Sequence, residues 1–375
     1  MIADSMRFSL TGVIAATLLS SSGSSMPLTD EARENVSSDS ARLSLVLDSI
    51  RTALGATGAS AAVLYGDGSM WIGTSGHAWA NEPVTPATAF DIGSVTKPFT
   101  AALILRLVEA GRLELDDPVS RWRPAFDAPG VTIRHLLAQT SGIPDYTANP
   151  EFLPAIRSRM AGPWSPVENL AFVTPRRSRP DSAWSYSSTN YVLLGLIAAA
   201  AGDQSYGELL RQYVLKPLEL RATFVTGEDS VLAPRAHAYL DFTGDGKPDD
   251  LSALVPDPAT TRGSGGAGAI VATAQDVARF SRAYFTGSLV STPLHHQATR
   301  WRDRGSGLRY GFGIIAFPQE RDTLLGHMGN AAGHSAGAWH SATNGITAVI
   351  LTNAHGVPMS APVQRLLSEA IELRK

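Results

Sequence analysis

Hydrophobic residues recur at helical spacing near both ends of the chain. In residues 38–54 and again in residues 361–374 they return every three or four positions, which predicts an amphipathic helix in each segment. Gly55 follows the first segment directly, and glycine is the residue that most often ends a helix. Each terminal helix therefore has one apolar face that must be buried against another layer of the fold.

Short runs of small and branched apolar residues predict strands just inside these helices. Two of them, residues 59–65 and 69–73, are joined by a Gly-Asp-Gly turn. Four more follow late in the chain, at residues 310–317, 323–327, 337–341 and 346–352. The segments between these two groups have mainly helical patterns, at residues 91–111, 133–139, 190–201, 205–215 and 274–285.

Strand patterns at both ends, with helices between them, favour an α/β (α+β) fold over alternating strand–helix units. We expect one antiparallel sheet, flanked by the terminal helices, with a mostly helical region inserted into it. The sheet region is predicted over about residues 38–93 and 263–375 and the helical region over about 94–262, within a single domain at residues 38–375. A chain with 44% hydrophobic residues can bury so large a core.

Residues 1–25 have the pattern of a secretory signal peptide. Arg7 precedes an apolar run at residues 8–19, and small residues follow at positions 20–25. As a helix this run rises only about 18 Å, whereas a bilayer core is ~30 Å thick, so we expect no stable membrane span. The sequence therefore predicts a secreted or periplasmic protein.

Charge and cysteine content exclude several classes of function. The 31 basic and 34 acidic residues nearly balance, so the chain has no basic field that would hold nucleic acid. The sequence contains no cysteine, which excludes disulfides, thiolate metal sites and a cysteine nucleophile. Any catalytic or binding residues must therefore be side chains other than cysteine.

Ser94 and Lys97 form an S-x-x-K motif at the start of the helix predicted over residues 91–111. Residues three apart share one face of a helix, so the hydroxyl and the amine can converge. A serine hydroxyl is a poor nucleophile unless a neighbouring base takes its proton, and burial favours the neutral lysine that can act as that base. The backbone N–H of Ser94, at the helix N-terminus, can donate to an oxyanion.

Further stretches, in the same order and spacing, resemble one family. The matching stretches are GSVTK at residues 93–97, GRLELDDPV at 111–119, HLLAQTSGIPDY at 135–146, YSSTNY at 186–191 and GHMG at 326–329. Together they make the chain similar to the serine β-lactamases and penicillin-binding proteins, on the branch that holds class C β-lactamases, secreted D-Ala-D-Ala carboxypeptidases and family VIII esterases. The resemblance implies the β-lactamase/transpeptidase-like fold, with the site in the groove between the sheet and the helical region.

The resemblance also implies roles for positions of this sequence. Ser94 would be the acylated nucleophile, Lys97 would take part in proton transfer, and Tyr186 would act as general base or acid. His327 and Gly329 match the H-x-G form of the third motif, on a strand that lines the site. The backbone N–H of Asn330 would be the second oxyanion donor.

Two positions depart from the family pattern. The middle motif usually reads Tyr-x-Asn, and Ser188 stands in the place of the asparagine that holds the substrate's amide and contacts the lysine. A hydroxyl reaches less far than a carboxamide and has fewer hydrogen-bonding groups. Met328 likewise stands where threonine is frequent. Both changes leave room for a compact ester or another small acyl substrate.

Acyl transfer without a cofactor is the chemistry that these residues indicate. The resemblance favours a serine hydrolase of the D-alanyl-D-alanine carboxypeptidase type, acting on a small molecule or peptide through its carbonyl group. A family VIII-type carboxylesterase and a class C-like β-lactamase are the enzymatic alternatives. A penicillin-binding or sensor protein without catalysis is the alternative of another class. The sequence leaves the oligomeric state open.

Three other motifs fit their usual functions poorly. Ser335 lies in a G-x-S-x-G sequence, but a nucleophile elbow needs a strand-to-helix turn and the pattern here continues as a strand. Residues 241–249 resemble part of a calcium loop whose twelfth position, Ser252, is not a glutamate. The glycine cluster at residues 263–268 lacks the Lys-Ser/Thr of a phosphate loop and predicts tight backbone packing. We therefore expect no metal and no nucleotide.

Overall fold

The computed structural model describes residues 30–122, 126–176, 178–241, 243–255, 258–304 and 307–375, with side chains from residue 38 onward. The chain divides into two units, Met1–Ser38 and Asp39–Lys375, and the second holds the sheet and the helices around it. The signal peptide predicted at residues 1–25 lies outside the described residues. None of the helices in the described ranges has the length and hydropathy of a bilayer span.

The strands are numbered in chain order. They are β1 (Gly58–Leu64), β2 (Met70–Trp79), β3 (Glu82–Pro83), β4 (Phe90–Asp91), β5 (Thr223–Val225), β6 (Tyr239–Leu240), β7 (Asp249–Asp250), β8 (Ile270–Ala272), β9 (Arg302–Asp303), β10 (Arg309–Tyr310), β11 (Ile315–Pro318), β12 (Thr323–Ala331), β13 (His334–Ser341) and β14 (Ile346–Thr352).

The helices are numbered in the same way. They are α1 (Asp30–Ala53), α2 (Thr96–Glu109), α3 (Ile133–Leu137), α4 (Phe152–Ser158), α5 (Pro166–Asn169), α6 (Ser188–Gly202), α7 (Tyr206–Leu210), α8 (Leu251–Leu254), α9 (Ala259–Ser264), α10 (Ala274–Phe285), α11 (Thr292–Ala298) and α12 (Ser360–Glu372).

The two ends of the second unit meet at the centre of an antiparallel sheet. β1 pairs with β2 on one side and with β14 on the other, where Ala61 lies opposite Ile350. Among the described strands, nine form this sheet in the order β3-β2-β1-β14-β13-β12-β11-β10-β9. β4, β8 and β5 form a smaller antiparallel sheet beside it. The prediction of a sheet assembled from both ends of the chain is confirmed.

Helices cover both faces of the large sheet. α1 and α12 bury Leu47 and Val363 with Ala61 and Ile350 on one face, and α10 packs against β1 and β14 on the other. Because side chains alternate along a strand, β1 and β14 contribute apolar residues to both layers. Both strands are therefore apolar at nearly every position instead of at every second one.

α2, which carries Lys97 in its first turn, is enclosed on all sides. Leu103, Ile104 and Leu105 are consecutive and fully buried, so this stretch of the helix has no face toward solvent. Phe99 stacks on Phe280 of α10 and joins the helical region to a layer of the sheet. A helix packed in this way holds the residues at its N-terminus in fixed positions.

Two predicted elements are corrected by the structure. The single strand predicted at residues 310–317 is wrong, because β10 and β11 are separate strands. Gly313 between them has φ +69°, and the N–H of Gly311 donates to the carbonyl of Ile314 at 2.8 Å, which closes a turn. The helix predicted at residues 205–215 is α7 followed by a π-helical turn, Arg211–Leu215.

Candidate active site

Ser94 lies on a short 3-10 turn that leads directly into α2, and two glycines let this turn press against β12. Gly93 has φ +49°, and a Cβ there would lie 2.4 Å from the carbonyl oxygen of Asn330. A Cβ on Gly329 would lie 2.0 Å from the carbonyl oxygen of Ile92. A larger side chain at either position would push Ser94 away from the strand.

The same contact places one backbone nitrogen from the turn and one from β12 at the junction between them. The Cβ position of Gly329 is 2.8 Å from the nitrogen of Ser94, and that of Gly93 is 2.8 Å from the nitrogen of Asn330. These are the two N–H groups that the sequence predicts as oxyanion donors. The side chain of Asn330 is held apart from them, because its Oδ1 accepts a hydrogen bond from Ser335 at 2.7 Å.

Lys97 is fully buried next to Ser94. Its Nζ lies 2.9 Å from Ser94 Oγ and 3.0 Å from the carbonyl oxygen of Ala267. The ring centroids of Tyr186 and Tyr191 lie 4.9 Å and 5.8 Å from the same nitrogen. One carbonyl and two aromatic faces therefore hold the amine of Lys97 where it can exchange a proton with Ser94.

Three rings form an aromatic wall beside this pair, composed of Tyr186, Tyr310 and His327. The ring centroids of Tyr186 lie 6.4 Å from Tyr310 and 6.3 Å from His327, and those of Tyr310 and His327 are 6.2 Å apart. Burial raises the pKa of the Tyr310 phenol far above its usual value, so this ring stays neutral. Tyr186 is only half-buried, and its ring centroid lies 4.9 Å from Lys97 Nζ.

His327 is uncharged at neutral pH. Burial lowers the pKa of its imidazole to about 3, and the positive charge of Lys97 adds to the shift. Nδ1 lies 2.7 Å from the carbonyl oxygen of Met328, so Nδ1 carries the proton and donates it. Nε2 is then an acceptor, and within the described residues it has no hydrogen-bond partner. His327 therefore offers the site a lone pair and no positive charge.

An ion network fixes the strand that precedes Ser94. Asp91 in β4 accepts two hydrogen bonds from Arg235, at 2.7 Å and 2.9 Å, and lies 3.1 Å from Nδ1 of His334. Burial acts to raise the pKa of Asp91, but the charge of Arg235 and the contact with His334 outweigh it and lower the pKa well below its usual value. The ionised carboxylate ties β4 to β13 three residues before Ser94.

Gln139 holds the loop that carries Tyr186. Its backbone carbonyl accepts the N–H of Ser185 at 2.9 Å, and its Oε1 accepts the N–H of Ser187 at 3.1 Å, one on each side of Tyr186. Gln139 has φ +60°, a left-handed conformation that costs a residue with a Cβ about 1–3 kcal/mol. Such strain persists where the surrounding contacts require the position.

A cavity of about 330 Å³ opens beside Ser94. Most of its wall is apolar, and the large apolar side chains that line it are Tyr146, Phe152, Leu153, Met160, Leu240 and Leu251. Ser188 and Asn330 supply polar groups. The backbone N–H of Ser188 donates to Asp145 Oδ2 at 2.8 Å, which fixes this residue at the N-terminus of α6.

The competing motifs have structural roles in the described chain. Ser335 lies within β13, and its hydroxyl oxygen is 2.7 Å from Oδ1 of Asn330 and 2.8 Å from the carbonyl oxygen of Ala354, within hydrogen-bonding distance of both acceptors. Asp241 accepts the N–H groups of Gly244 and Gly246 in a polar turn. No cluster of His, Asp or Glu suited to a metal occurs among the residues that the structure describes.

Two residues of the site were not found from the sequence. Ala267 acts through its backbone carbonyl, and the only signal for it was the glycine cluster at residues 263–268. That cluster packs tightly, as predicted, since a Cβ on Gly266 would lie 2.6 Å from the carbonyl of Tyr191. Gln139 lies in one of the stretches that carry the family resemblance, but its backbone strain is visible only in the structure.

The sequence profile of the Beta-lactamase family matches residues 46–371. Penicillin-binding protein 4 of Amycolatopsis lactamdurans is 30% identical over 331 residues, which cover 82% of this chain and 83% of that relative. Penicillin-binding protein 4* of Bacillus subtilis (strain 168) is 29% identical over 268 residues. This second match covers 68% of the chain but only 58% of the relative's length.

A solved structure has the same fold as this chain. The D-stereospecific amidohydrolase from Streptomyces sp. superposes with a TM-score of 0.75 and 28% identity, over 88% of this chain and 97% of its own. The predicted β-lactamase/transpeptidase-like fold is confirmed by this match and by the family profile. The chain belongs to the Beta-lactamase family and is a serine hydrolase.

Proposed function

We propose that the protein hydrolyses an amide bond through a covalent acyl-enzyme, in the manner of a D-alanyl-D-alanine carboxypeptidase. The proposal rests on the 2.9 Å contact between Lys97 Nζ and Ser94 Oγ beside a cavity of about 330 Å³. Similarity to two penicillin-binding proteins and to a D-stereospecific amidohydrolase favours a substrate with D-configured residues.

The first half-reaction forms an ester on Ser94. Its Oγ attacks the carbonyl carbon, and its proton passes to the pair formed by Lys97 and Tyr186. The carbonyl oxygen becomes an oxyanion between the backbone N–H groups of Ser94 and Asn330. The C–N bond then breaks, and the leaving nitrogen takes the proton from the pair.

The second half-reaction regenerates the hydroxyl. Water attacks the ester carbon and gives a proton to the same pair of residues, and the two N–H groups hold the oxyanion again. The bond from the carbonyl carbon to Ser94 Oγ breaks, and Oγ regains its proton. The acyl group leaves as a carboxylic acid, and the residues return to their starting protonation.

The proton route divides the site into two sides. The leaving nitrogen must receive its proton from Lys97 or Tyr186, so the leaving group lies against the aromatic wall. The acyl part then lies in the cavity, beside Ser188 and the apolar side chains. Neither Tyr186 nor His327 is among the described residues that line this cavity, which supports the separation.

A carboxylesterase of the family VIII type is the second candidate. Ser188 offers an acyl group fewer hydrogen bonds than an asparagine would, and the cavity around it is mostly apolar. Both features suit a compact ester. A class C-like β-lactamase would use the same nucleophile and the same oxyanion donors. The signal peptide predicted at residues 1–25 supports a secreted or periplasmic location, which N-terminal sequencing of the exported protein tests.

A substrate panel tests the proposal. Steady release of D-alanine from an N-acyl-D-Ala-D-Ala peptide supports the carboxypeptidase, turnover of p-nitrophenyl esters alone supports the esterase, and turnover of nitrocefin alone supports the β-lactamase. Ser94→Ala should abolish each activity, and Tyr186→Phe should reduce it by about 10²-fold or more. If the protein is acylated once per molecule and releases no product at a steady rate, all three enzymatic hypotheses are wrong. The protein would then be a penicillin-binding or sensor protein. Mass spectrometry of the acylated peptide separates labelling at Ser94 from labelling at Ser335.

A further inference from the structure

The two predicted oxyanion donors belong to different parts of the chain. The N–H of Ser94 comes from the turn that follows β4, and that of Asn330 comes from β12. Gly93 and Gly329 allow these two segments to touch, because a Cβ at either position would collide with backbone atoms. A glycine removes an obstacle but supplies no side chain that could hold the contact. Another interaction must therefore fix the distance between the two N–H groups.

Asp91 and His334 join the same two segments. Asp91 ends β4, three residues before Ser94, and His334 begins β13, four residues after Asn330. Oδ2 of Asp91 lies 3.1 Å from Nδ1 of His334. β12 and β13 form one hairpin, in which Asn330 lies opposite Ser335, the neighbour of His334. The contact therefore ties the strand that leads to one donor to the hairpin that carries the other.

Both members of this contact are shielded from water. Asp91 is 2% exposed and His334 is fully buried, with its ring edge-on to Phe90 at a centroid distance of 5.9 Å. Burial acts to raise the pKa of Asp91, but Arg235 and His334 hold it well below its usual value, so the carboxylate is ionised. A charged contact in such surroundings is weakened little by solvent and salt. It can hold β4 against β13 more firmly than a surface ion pair could.

The two ring nitrogens of His334 face different oxygens. Nδ1 faces the carboxylate of Asp91, whereas Nε2 lies 3.2 Å from the carbonyl oxygen of Ala236. Substitution can separate these two contacts. The amide nitrogen of asparagine is as many bonds from Cα as Nδ1 of histidine, and that of glutamine is as many bonds from Cα as Nε2. Asparagine can therefore keep the contact with Asp91, and glutamine only the contact with Ala236.

The G-x-S-x-G stretch at residues 333–337 makes a second contact with the oxyanion region. Oγ of Ser335 lies 2.7 Å from Oδ1 of Asn330. Because side chains alternate along a strand, His334 and Ser335 reach in different directions, the first toward β4 and the second toward β12. A stretch that lacks the geometry of a nucleophile elbow thus contacts the segments of both predicted donors.

We propose that Asp91 and His334 are positioning residues that set the distance between the two oxyanion donors. Neither is among the described residues that line the cavity beside Ser94, so each acts through the segment that it holds. Asp91 acts through β4 and the turn that follows it, and His334 acts through the hairpin that carries Asn330. The assignment rests on the proposed oxyanion donors but not on the identity of the substrate, since esters and amides both pass through an oxyanion.

Phenylboronic acid tests the assignment without turnover. Oγ of Ser94 bonds to boron, the serine proton passes to the pair of Lys97 and Tyr186, and the boron atom becomes a tetrahedral anion. One of its oxygens then lies between the two N–H groups, as the oxyanion does in the reaction. Calorimetry at fixed pH measures the affinity, and Ser94→Ala should form no adduct.

Two substitutions of His334 give opposite expectations. His334→Gln loses the contact with Asp91 and should weaken boronate binding by about 10- to 100-fold, because the donors are no longer held at the right distance. His334→Asn keeps that contact and should bind nearly as tightly as the wild type. Asp91→Asn should weaken binding as His334→Gln does. The double variant of Asp91→Asn and His334→Gln should bind no more weakly than the weaker single variant, since both changes remove one contact.

His340→Gln is the matched control. His340 is also buried in β13, and its Nδ1 lies 2.9 Å from Oγ1 of Thr347. The substitution removes a buried histidine contact of the same strand that involves neither β4 nor the hairpin turn. We expect a lower melting temperature and unchanged affinity for the boronate. This pair of readouts separates a loss of stability from a loss of positioning.

The outcomes separate this assignment from the proposed reaction. Wild-type affinity in folded His334→Gln, or an equal loss in His334→Asn, overturns the positioning role and leaves acyl transfer by Ser94 intact. A wild-type protein that forms no adduct overturns the oxyanion donors and the positioning role together. A loss confined to His334→Gln and Asp91→Asn supports the assignment, whichever substrate the enzyme cleaves. Circular dichroism verifies folding, and Asp91→Asn supplies the result if His334→Gln is unstable.

Discussion

The Oε1 atom of Gln139 accepts a hydrogen bond from the side-chain amide of Asn190. The same oxygen accepts the N–H of Ser187, so one buried atom joins α6 to the residue that follows Tyr186. The hydroxyl of Ser141 donates to Oδ1 of Asn190 at 2.6 Å and completes the link. Gln139 therefore positions the loop that carries Tyr186 through hydrogen bonds to Ser185, Ser187 and Asn190.

Gln139→Ala should slow acylation more than it weakens substrate binding. The loss of Oε1 leaves two buried donors unpaired, at a cost of about 1–3 kcal/mol of stability, and frees the loop around Tyr186. We expect kcat to fall about tenfold or more with little change in KM, and the pH profile of kcat to shift. Gln139→Gly is the control, because it loses the same bonds but relieves the backbone strain at φ +60°. A drop in melting temperature with unchanged kcat and pH profile would give Gln139 a purely structural role.

Gly329→Ala should inactivate the enzyme. The new methyl group would meet the carbonyl oxygen of Ile92 at 2.0 Å and the nitrogen of Ser94 at 2.8 Å, and neither backbone atom can move without displacing the nucleophile. We expect a loss of about 10²-fold or more in kcat/KM, since a shift of about 1 Å in an active site has that effect. Gly66→Ala is the matched control, because its Cβ would come no closer than 3.8 Å to Gly345. Wild-type activity in Gly329→Ala would refute the close docking of the turn.

His327 should make the protein sensitive to acid. Its pKa is lowered from 6.5 to about 3 in the folded protein. Between these two pH values the imidazole is protonated in the unfolded chain and neutral in the folded protein. The stabilisation is complete above pH 6.5 and is lost as the pH falls toward 3, by about 1.4 kcal/mol per pH unit in that window. His327→Asn should therefore flatten the decline in stability between pH 6 and 4, measured by urea unfolding.

Part of that decline should survive in His327→Asn. The pKa of His340 is lowered by burial to about 4, so the folded protein also resists protonation there. His296 is exposed on α11 and provides the control, because His296→Asn should leave the slope of the wild type. If the free energy of unfolding falls with pH equally steeply in His327→Asn and in the wild type, the prediction is wrong. The imidazole of His327 would then take up a proton in the folded protein as readily as in the unfolded chain.

Ser188→Asn should change which acyl groups the enzyme prefers. Ser188 lines the cavity, and the contact that fixes it is made by its backbone N–H, so the substitution should alter stability little. A carboxamide adds a donor and an acceptor toward the acyl side of a substrate. We expect the ratio of kcat/KM for amide over ester substrates to rise about tenfold. Ser188→Ala serves as the control, and equal ratios in all three proteins would contradict the assignment of the cavity to the acyl group.

The sequence predicted best those contacts that join residues close together along the chain. Ser94 and Lys97 converge because they lie three residues apart at the start of one helix, and their spacing together with the other family motifs predicted the contact. The sheet was predictable because β1 and β14 are apolar runs at opposite ends of the domain. The break at Gly313 was not, since a turn of a few residues inside an apolar stretch leaves the hydrophobic pattern unchanged.

The rest of the site depends on contacts between distant segments. Ala267 contributes a backbone oxygen, which every residue type has, so no side-chain pattern could indicate it. Arg304 stacks on Trp184, which lies in a loop more than a hundred positions earlier in the sequence. Such pairings follow from how the helical region folds back onto the sheet, and single-sequence patterns contain little information about that step.

The position of β14 beside β1 has a consequence for synthesis. A ribosome makes β1 early, but that strand must wait for residues 346–352 before its second edge is paired. β12, on which the turn with Ser94 docks, also emerges late. A nascent chain that stops before residue 323 therefore lacks the strand against which the turn that carries Ser94 packs. The contacts that hold this serine in place can form only after most of the chain has been synthesised.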